Sequence, residues 1–179
     1  MKRNSIVMAG LAATMALSVS AALAADKGAK ESQKFIKSAI EGNYAEVDVG
    51  KLAQEKGKSQ AVKDYGAMQV TDHGAANDKA KAAASQLDVK PPSGASMMDK
   101  AEYLKLKVLS GDTFDRTFAK GMVKDHQDDI KNYEKEARQS DAAGAYVKET
   151  LPTLQKHLDA AQKLQSQVAA PTTGSAPAK

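Results

Sequence analysis

The stretch DTFDRTFAKGMVKDHQDDIKNYEKEARQS, residues 112–140, decides the fold class of this chain. Its apolar side chains recur at the spacing of a helix with one buried face, while lysine and acidic residues occupy the other face. Asp112 is a suitable N-cap, and we expect the helix to end at about Ser140. The buried face would contain Phe118, Ala119, Met122, Val123, Ile130, Tyr133 and Ala137.

The rest of the chain shows the same periodicity between clear breaks. A Gly-Lys-Ser break at 57–59 ends the first helix, and a Pro-Pro-Ser-Gly segment starts a long connection over 87–111. The capping box Ser96–Asp99 predicts a short helix inside that connection. Pro152 predicts a kink or a restart of the last helix, with Thr150 as the new cap. The predicted helices are 30–56, 59–86, 96–109, 112–140 and 141–168.

The lengths of the connections predict the arrangement of these helices. Very short loops join the first helix to the second and the third long helix to the fourth, so each pair is antiparallel. The long connection between the pairs predicts an all-α, ferritin-like four-helix bundle, that is, two antiparallel hairpins joined by a long crossover containing a short helix. A bundle whose helices alternate in direction, with a decorated middle loop, is the alternative.

The first segment has the features of a secretory signal peptide. Lys2 and Arg3 precede an apolar run, and Ala22–Ala24 has the small-x-small pattern of a cleavage site. An uncleaved anchor helix is the alternative. We expect residues 1–24 to be a signal peptide cleaved near Ala24, which implies the periplasm, residues 25–169 to form the bundle, and residues 170–179 to be a disordered tail.

Composition excludes several classes of function. Without Lys2 and Arg3, 24 of the 26 basic residues remain against 22 acidic ones, which gives +2. This small excess gives no concentrated basic face for nucleic acid. No later apolar run is long enough to cross a membrane. The chain has no Cys, which excludes disulfides and thiolate chemistry.

The three histidines of the chain lie on the apolar stripes of three different helices. They are His73, His126 and His157, and Glu46 lies on the stripe of the remaining helix. Each lies near the middle of its helix, so packing would bring all four to a similar level. Three imidazoles and a carboxylate would form a site for Cu, Zn, Fe or Ni. Met122, one turn before His126, would add a soft ligand that favours copper.

A structural role for the same residues is the alternative. A histidine on an apolar stripe is often a hydrogen-bonded core residue, and a buried histidine–carboxylate network holds helix register without metal. Asp72 and Asp125 precede two of the histidines, but neighbours in a helix do not face each other. Either Asp would pair with a histidine of another helix or with a surface lysine.

Four segments resemble one family of exported bacterial proteins. They are FIKSAIEGNYAEVDVGKLA (35–53), MQVTDH (68–73), FDRTFAKGMVKDH (114–126) and TLPTLQKHL (150–158). The chain is similar to domain-of-unknown-function family four-one-four-two, whose members are often labelled outer membrane proteins. The resemblance implies a ferritin-like bundle and export but brings no activity, and this helical sequence does not support the outer-membrane label.

One departure from ferritin-like enzymes bears on activity. Their di-iron sites use Glu-x-x-His motifs, but here Val70, Val123 and Leu154 stand three residues before the histidines. We therefore predict no enzyme and expect an exported, stress-related or partner-binding bundle whose protein partner is not specified. A periplasmic metal-binding protein using the histidines and Glu46 is the alternative, and a hydrolytic or redox enzyme is a third, weaker one.

Overall fold

The computed structural model describes the backbone of residues 11–169 and the side chains of residues 27–169. Within that part of the chain, all regular secondary structure is helical. The charged start of the predicted signal peptide and the predicted tail, residues 1–10 and 170–179, lie outside the described residues. The helices are α1 (Leu11–Lys56), α2 (Gln60–Gln86), α3 (Met97–Lys107), α4 (Gly111–Glu136) and α5 (Ala142–Ala169).

Helix α1 begins much earlier than its apolar stripe indicates. The predicted start at about residue 30 was wrong, because the helix is continuous from Leu11. Its first part is rich in alanine and leucine, which have high helix propensity whether or not they face a core. The signal peptide and its cleavage near Ala24 stay a prediction.

Two of the predicted helix starts are confirmed by their caps. The Ser59 hydroxyl accepts the Val62 N–H at the start of α2. Ser96 and Asp99 form the reciprocal capping box of α3. Both signals depend only on local geometry, which explains why the sequence alone reveals them.

The start of α4 and the middle of α5 differ from expectation. Ser110, not Asp112, is the N-cap of α4, and the Asp112 carboxylate instead binds Lys58 Nζ at 2.8 Å. Helix α5 continues through Pro152. Thr150 is not a cap, since its hydroxyl donates to the Tyr146 carbonyl at 2.8 Å. Proline has no backbone N–H group and so removes one hydrogen bond of the helix. Burial of Leu154 in the core stabilises the helix against that loss.

Contacts at the α1–α2 turn show the direction of the second hairpin. The backbone N–H groups of Lys58 and Ser59 both donate to the Asp115 carboxylate at 2.8 Å. Helix α4 therefore begins at the same end as α2 and runs parallel to it, so the connection that holds α3 spans the bundle lengthwise.

The interior consists of two apolar clusters with a polar layer between them. One cluster includes Ile36, Ala80, Tyr133 and Leu154, and the other includes Leu52, Val62, Phe118 and Leu164. Along each long helix, buried polar side chains lie between the two clusters. They are Asn43, Glu46, Gln69, His73, Asn77, His126 and His157.

Glycines bring α1 and α2 unusually close beside this layer. A Cβ at Gly66 would lie 2.5 Å from the Gly50 carbonyl oxygen, and a Cβ at Gly50 would lie 2.8 Å from the Gly66 oxygen. Larger residues would push the helices apart. Among the described residues, none of the helices combines the length and apolar character needed to cross a lipid bilayer.

Candidate metal centre

Three histidine side chains, one each from α2, α4 and α5, meet in the polar layer. His73, His126 and His157 are 3%, 0% and 1% exposed. One ring nitrogen from each lies within 4.8 Å of those of the other two. The ring centroids are 5.2–5.7 Å apart. We call these three residues the histidine trio, and its convergence agrees with the sequence analysis.

The outer nitrogen of each ring faces an oxygen acceptor. His126 Nδ1 lies 2.9 Å from the Met122 carbonyl oxygen. His157 Nε2 lies 2.8 Å from Asp72 Oδ2. Asp72 therefore pairs with a histidine of another helix, which is one of the two partners that its sequence position allowed. His73 Nδ1 lies 2.9 Å from Asn43 Oδ1. Because all three partners are acceptors, each of these ring nitrogens carries a proton and donates it.

The Asn43 amide is also hydrogen-bonded on the side away from His73. Its Nδ2 donates to the Tyr146 hydroxyl at 3.0 Å, which lies 3.1 Å from the Tyr133 hydroxyl. The amide oxygen is thereby turned toward His73. This chain of contacts anchors the ring in the apolar cluster that contains both tyrosines.

Neutral rings in these tautomers present lone pairs to one another. His126 Nε2 and His157 Nδ1 lie 3.3 Å apart, and neither has a proton to donate when its ring is neutral. The Nε2 atom of His73 is buried and has no hydrogen-bond partner among the described residues. A second proton on His157 would satisfy His126 but would still leave His73 unpaired.

The surroundings favour the neutral rings. Burial lowers the pKa of His73 well below its usual range, and the other two rings add to that effect. Burial also lowers the pKa of His126 to about 4, although the hydrogen bond that its ring donates to the Met122 carbonyl acts in the opposite direction. At neutral pH both rings therefore keep a lone pair, which is the form that binds metal.

Glu46 and Met122, the other two predicted ligands, lie beside the trio and not within it. The Glu46 carboxylate is buried but is not part of the converging group. Its Oε2 accepts Gln69 Nε2 at 2.5 Å, and the same nitrogen lies 3.2 Å from Met122 Sδ. Burial, aided by three nearby aspartates, raises the pKa of Glu46 well above its usual range. Met122 reaches the trio only through its backbone carbonyl.

The comparison with family models agrees with the resemblance. The model of the domain of unknown function DUF4142 matches residues 17–164, most of the chain. The chain is a member of the DUF4142 family. No curated protein and no solved structure gives a significant match.

In this DUF4142 protein the trio is compatible with metal binding. Ligating histidines typically donate their second N–H to a carboxylate or carbonyl, which fixes the ring and raises its basicity. Here a backbone carbonyl, a carboxylate and an amide oxygen have those positions. The separation of 3.3 Å between His126 Nε2 and His157 Nδ1 is about that of two nitrogens bound tetrahedrally at about 2.0–2.1 Å from one ion.

Sequence reasoning missed the roles of several polar residues around the trio. Asn43 and Gln69 share their stripes with apolar residues, and a polar side chain in such a place is a usable signal. The Asn77 oxygen is buried and unpaired among the described residues. Asp125 does not bind a histidine there but lines a cavity between α1, α3 and α4, and burial raises its pKa to about 6.

Proposed function

We propose that this DUF4142 protein binds one transition-metal ion through His73, His126 and His157. One observation carries the proposal: each ring donates outward to a fixed acceptor and so directs a lone pair into a shared, water-poor interior. A cation satisfies all three lone pairs at once. A single proton shared between two rings satisfies only that pair.

The donor set supports a late, divalent first-row metal. Three neutral imidazoles suit Zn(II), Cu(II), Fe(II) and Ni(II), and the chain has no thiolate to offer a softer ion. Met122 Sδ lies 3.2 Å from Gln69 Nε2, so we do not include this soft ligand, which would favour copper, in the proposed ligand set. We propose Zn(II) and Cu(II) as the metals to test first, since both bind imidazole strongly.

The remaining parts of the proposal concern architecture and location. We propose a ferritin-like bundle, supported by the parallel course of α2 and α4 and the long connection between them. We propose export to the periplasm, supported by the signal-like residues 1–24. We also propose a non-enzymatic, stress-related role; in support of its non-enzymatic part, burial of all three rings limits the access of a substrate to a bound ion.

Metal titration of defined variants tests the proposal. The mature chain is purified without a histidine tag, stripped of metal and titrated with Zn(II) against a chromophoric chelator. We expect one ion per chain, and we expect His126→Leu to abolish this binding. Thr150→Val is the control for loss of a buried polar side chain, because this threonine lies beside one apolar cluster and donates within its own helix, to the Tyr146 carbonyl. Absence of stoichiometric binding in the unaltered chain, or equal loss in the control, would contradict the proposal.

A further inference from the structure

Two adjoining cavities separate α1 from α4. The larger one, of about 430 Å³, lies between α1, α3 and α4. The other, of about 380 Å³, lies between α1 and α4. Gly42 and Asp129 belong to the walls of both cavities. The two cavities therefore adjoin at these residues, and we call the pair of cavities the α1–α4 groove.

The cavity beneath α3 is strongly acidic. Its wall contains one basic residue, Lys105, and six carboxyl groups. They belong to Glu46, Asp99, Glu102, Asp125, Asp128 and Asp129. Asp128 is partly neutralised by Lys124 at 2.9 Å. Burial, with a smaller effect of neighbouring aspartates, raises the pKa of Asp129 to about 7. Such a cavity concentrates cations.

The inner end of the groove reaches the histidine trio. The second cavity is lined by His73 and by its partner Asn43. His73 is 3% exposed, and its Nε2 has no hydrogen-bond partner within the described part of the chain. His73, whose Nε2 is buried and unpartnered, thus lines one cavity of the groove, and the adjoining cavity is acidic.

The opposite side of the bundle offers a less favourable approach. A third cavity, of about 380 Å³, lies between α2 and α5 and is lined by His157 and Asp72. Its wall also contains Lys79 and Lys156, and Lys79 is paired with Glu149 at 3.1 Å. Two lysines there face two acidic residues, whereas the α1–α4 groove has three lysines, Lys34, Lys105 and Lys135, against eight acidic residues, so the groove attracts a cation more strongly.

We propose that the α1–α4 groove is the route by which a hydrated divalent transition-metal cation reaches the histidine trio, with the acidic cavity beneath α3 as its capture site. This inference rests on the proposed metal binding by the trio. Glu46 does not join the trio, but it lines the proposed capture site.

Gly42 allows the route to be blocked without disturbing the trio. A Cβ built at Gly42 meets no described atom within 4 Å, so a leucine there extends into the groove where the two cavities join. Gly74 in the middle of α2 is the matched control. Its Cβ also meets no described atom within 4 Å, and Gly74 is absent from the walls of all three cavities.

Stopped-flow uptake of Zn(II) by the metal-free mature chain tests the route. We expect Gly42→Leu to slow uptake by about tenfold or more while the equilibrium affinity stays within about threefold, because a narrowed route slows binding and release alike. Gly74→Leu should match the unaltered chain. Asp129→Asn should slow uptake by about twofold to tenfold and weaken its dependence on salt.

The outcomes separate the route from the site. An unchanged uptake rate in Gly42→Leu with intact affinity would overturn the route and leave the trio as the metal site. Slower uptake in Ala75→Leu, which narrows the α2–α5 cavity, with normal uptake in Gly42→Leu would also overturn it. Absence of Zn(II) binding in the unaltered chain would overturn the proposed function, and the route with it.

Discussion

His126 Nε2 and His157 Nδ1 lie 3.3 Å apart, and the acceptors behind both rings leave each of these nitrogens with a lone pair when the ring is neutral. Two facing lone pairs in a dry interior repel each other. A metal cation between the two nitrogens would be coordinated by both lone pairs, which removes the repulsion.

Metal should stabilise the unaltered chain and not the His126→Leu variant. At a free Zn(II) concentration of about 100 times Kd, linkage adds about 2.7 kcal/mol to the free energy of unfolding. For a domain of this size that raises Tm by about 5–10 °C. Thermal unfolding with and without Zn(II) measures both. A loss of several kcal/mol in the metal-free variant would instead indicate a structural network.

Asp72→Asn should weaken metal binding although Asp72 is not itself a ligand. The asparagine no longer offers the carboxylate that holds His157 Nε2–H, and loss of such a partner typically costs 10–100-fold in metal affinity. Asp78→Asn is the control, since Asp78 is an exposed residue of the same helix paired with Lys81. Competition titration with a chelator compares the two variants, and equal affinities would contradict the assigned role of Asp72.

Asp129→Asn should stabilise the metal-free chain at alkaline pH. Burial raises the pKa of Asp129 to about 7 in the folded state, above its value near 4 in the unfolded state. The folded form thus binds the extra proton between these pH values, and stability is lost as pH rises through this window. We expect a gain of about 1–2 kcal/mol at pH 8 that disappears toward pH 4. Denaturant unfolding across this range measures it, and a constant gain would contradict it.

Glu46→Gln should leave the affinity of the trio nearly unchanged. The carboxylate binds Gln69 and lies outside the converging group, so we expect Kd to change by less than about threefold, against a loss of about 100-fold or more for His73→Gln. Equilibrium Zn(II) titration of both variants checks this. A comparable loss in Glu46→Gln would restore Glu46 as a ligand.

The stripes of the sequence predicted the trio because all three histidines occupy central, inward positions. Periodicity places a residue on a face and at a height along the helix, and that suffices when the residue lies at the centre of the bundle. On α1, periodicity did not suffice to predict which side chain reaches the trio, because Asn43 and Glu46 lie three residues apart on the same stripe. Packing alone decides that Asn43 reaches His73 while Glu46 lies against Gln69 and the cavity.

Helix starts were predicted correctly where the capping residue interacts only with its own helix. They were predicted wrongly where a tertiary contact competes for the same side chain. The caps at Ser59 and Ser96 need only their own helix. Asp112 instead binds Lys58 across the bundle, a contact that no local pattern reveals. Pro152 was expected to kink α5 or to restart it; the helix is continuous through Pro152, which excludes the restart, and Leu154 just beyond it is buried in the core.

A proton–nitrogen correlation spectrum of the imidazole rings during Zn(II) titration tests the metal site most directly, because the chain has only three histidines. In the metal-free protein we expect His73 and His126 protonated at Nδ1 and His157 at Nε2. One equivalent of Zn(II) should then shift His73 Nε2, His126 Nε2 and His157 Nδ1 together, with no change on further addition. Inner nitrogens that keep their metal-free shifts, or that respond separately, would contradict a shared metal ion.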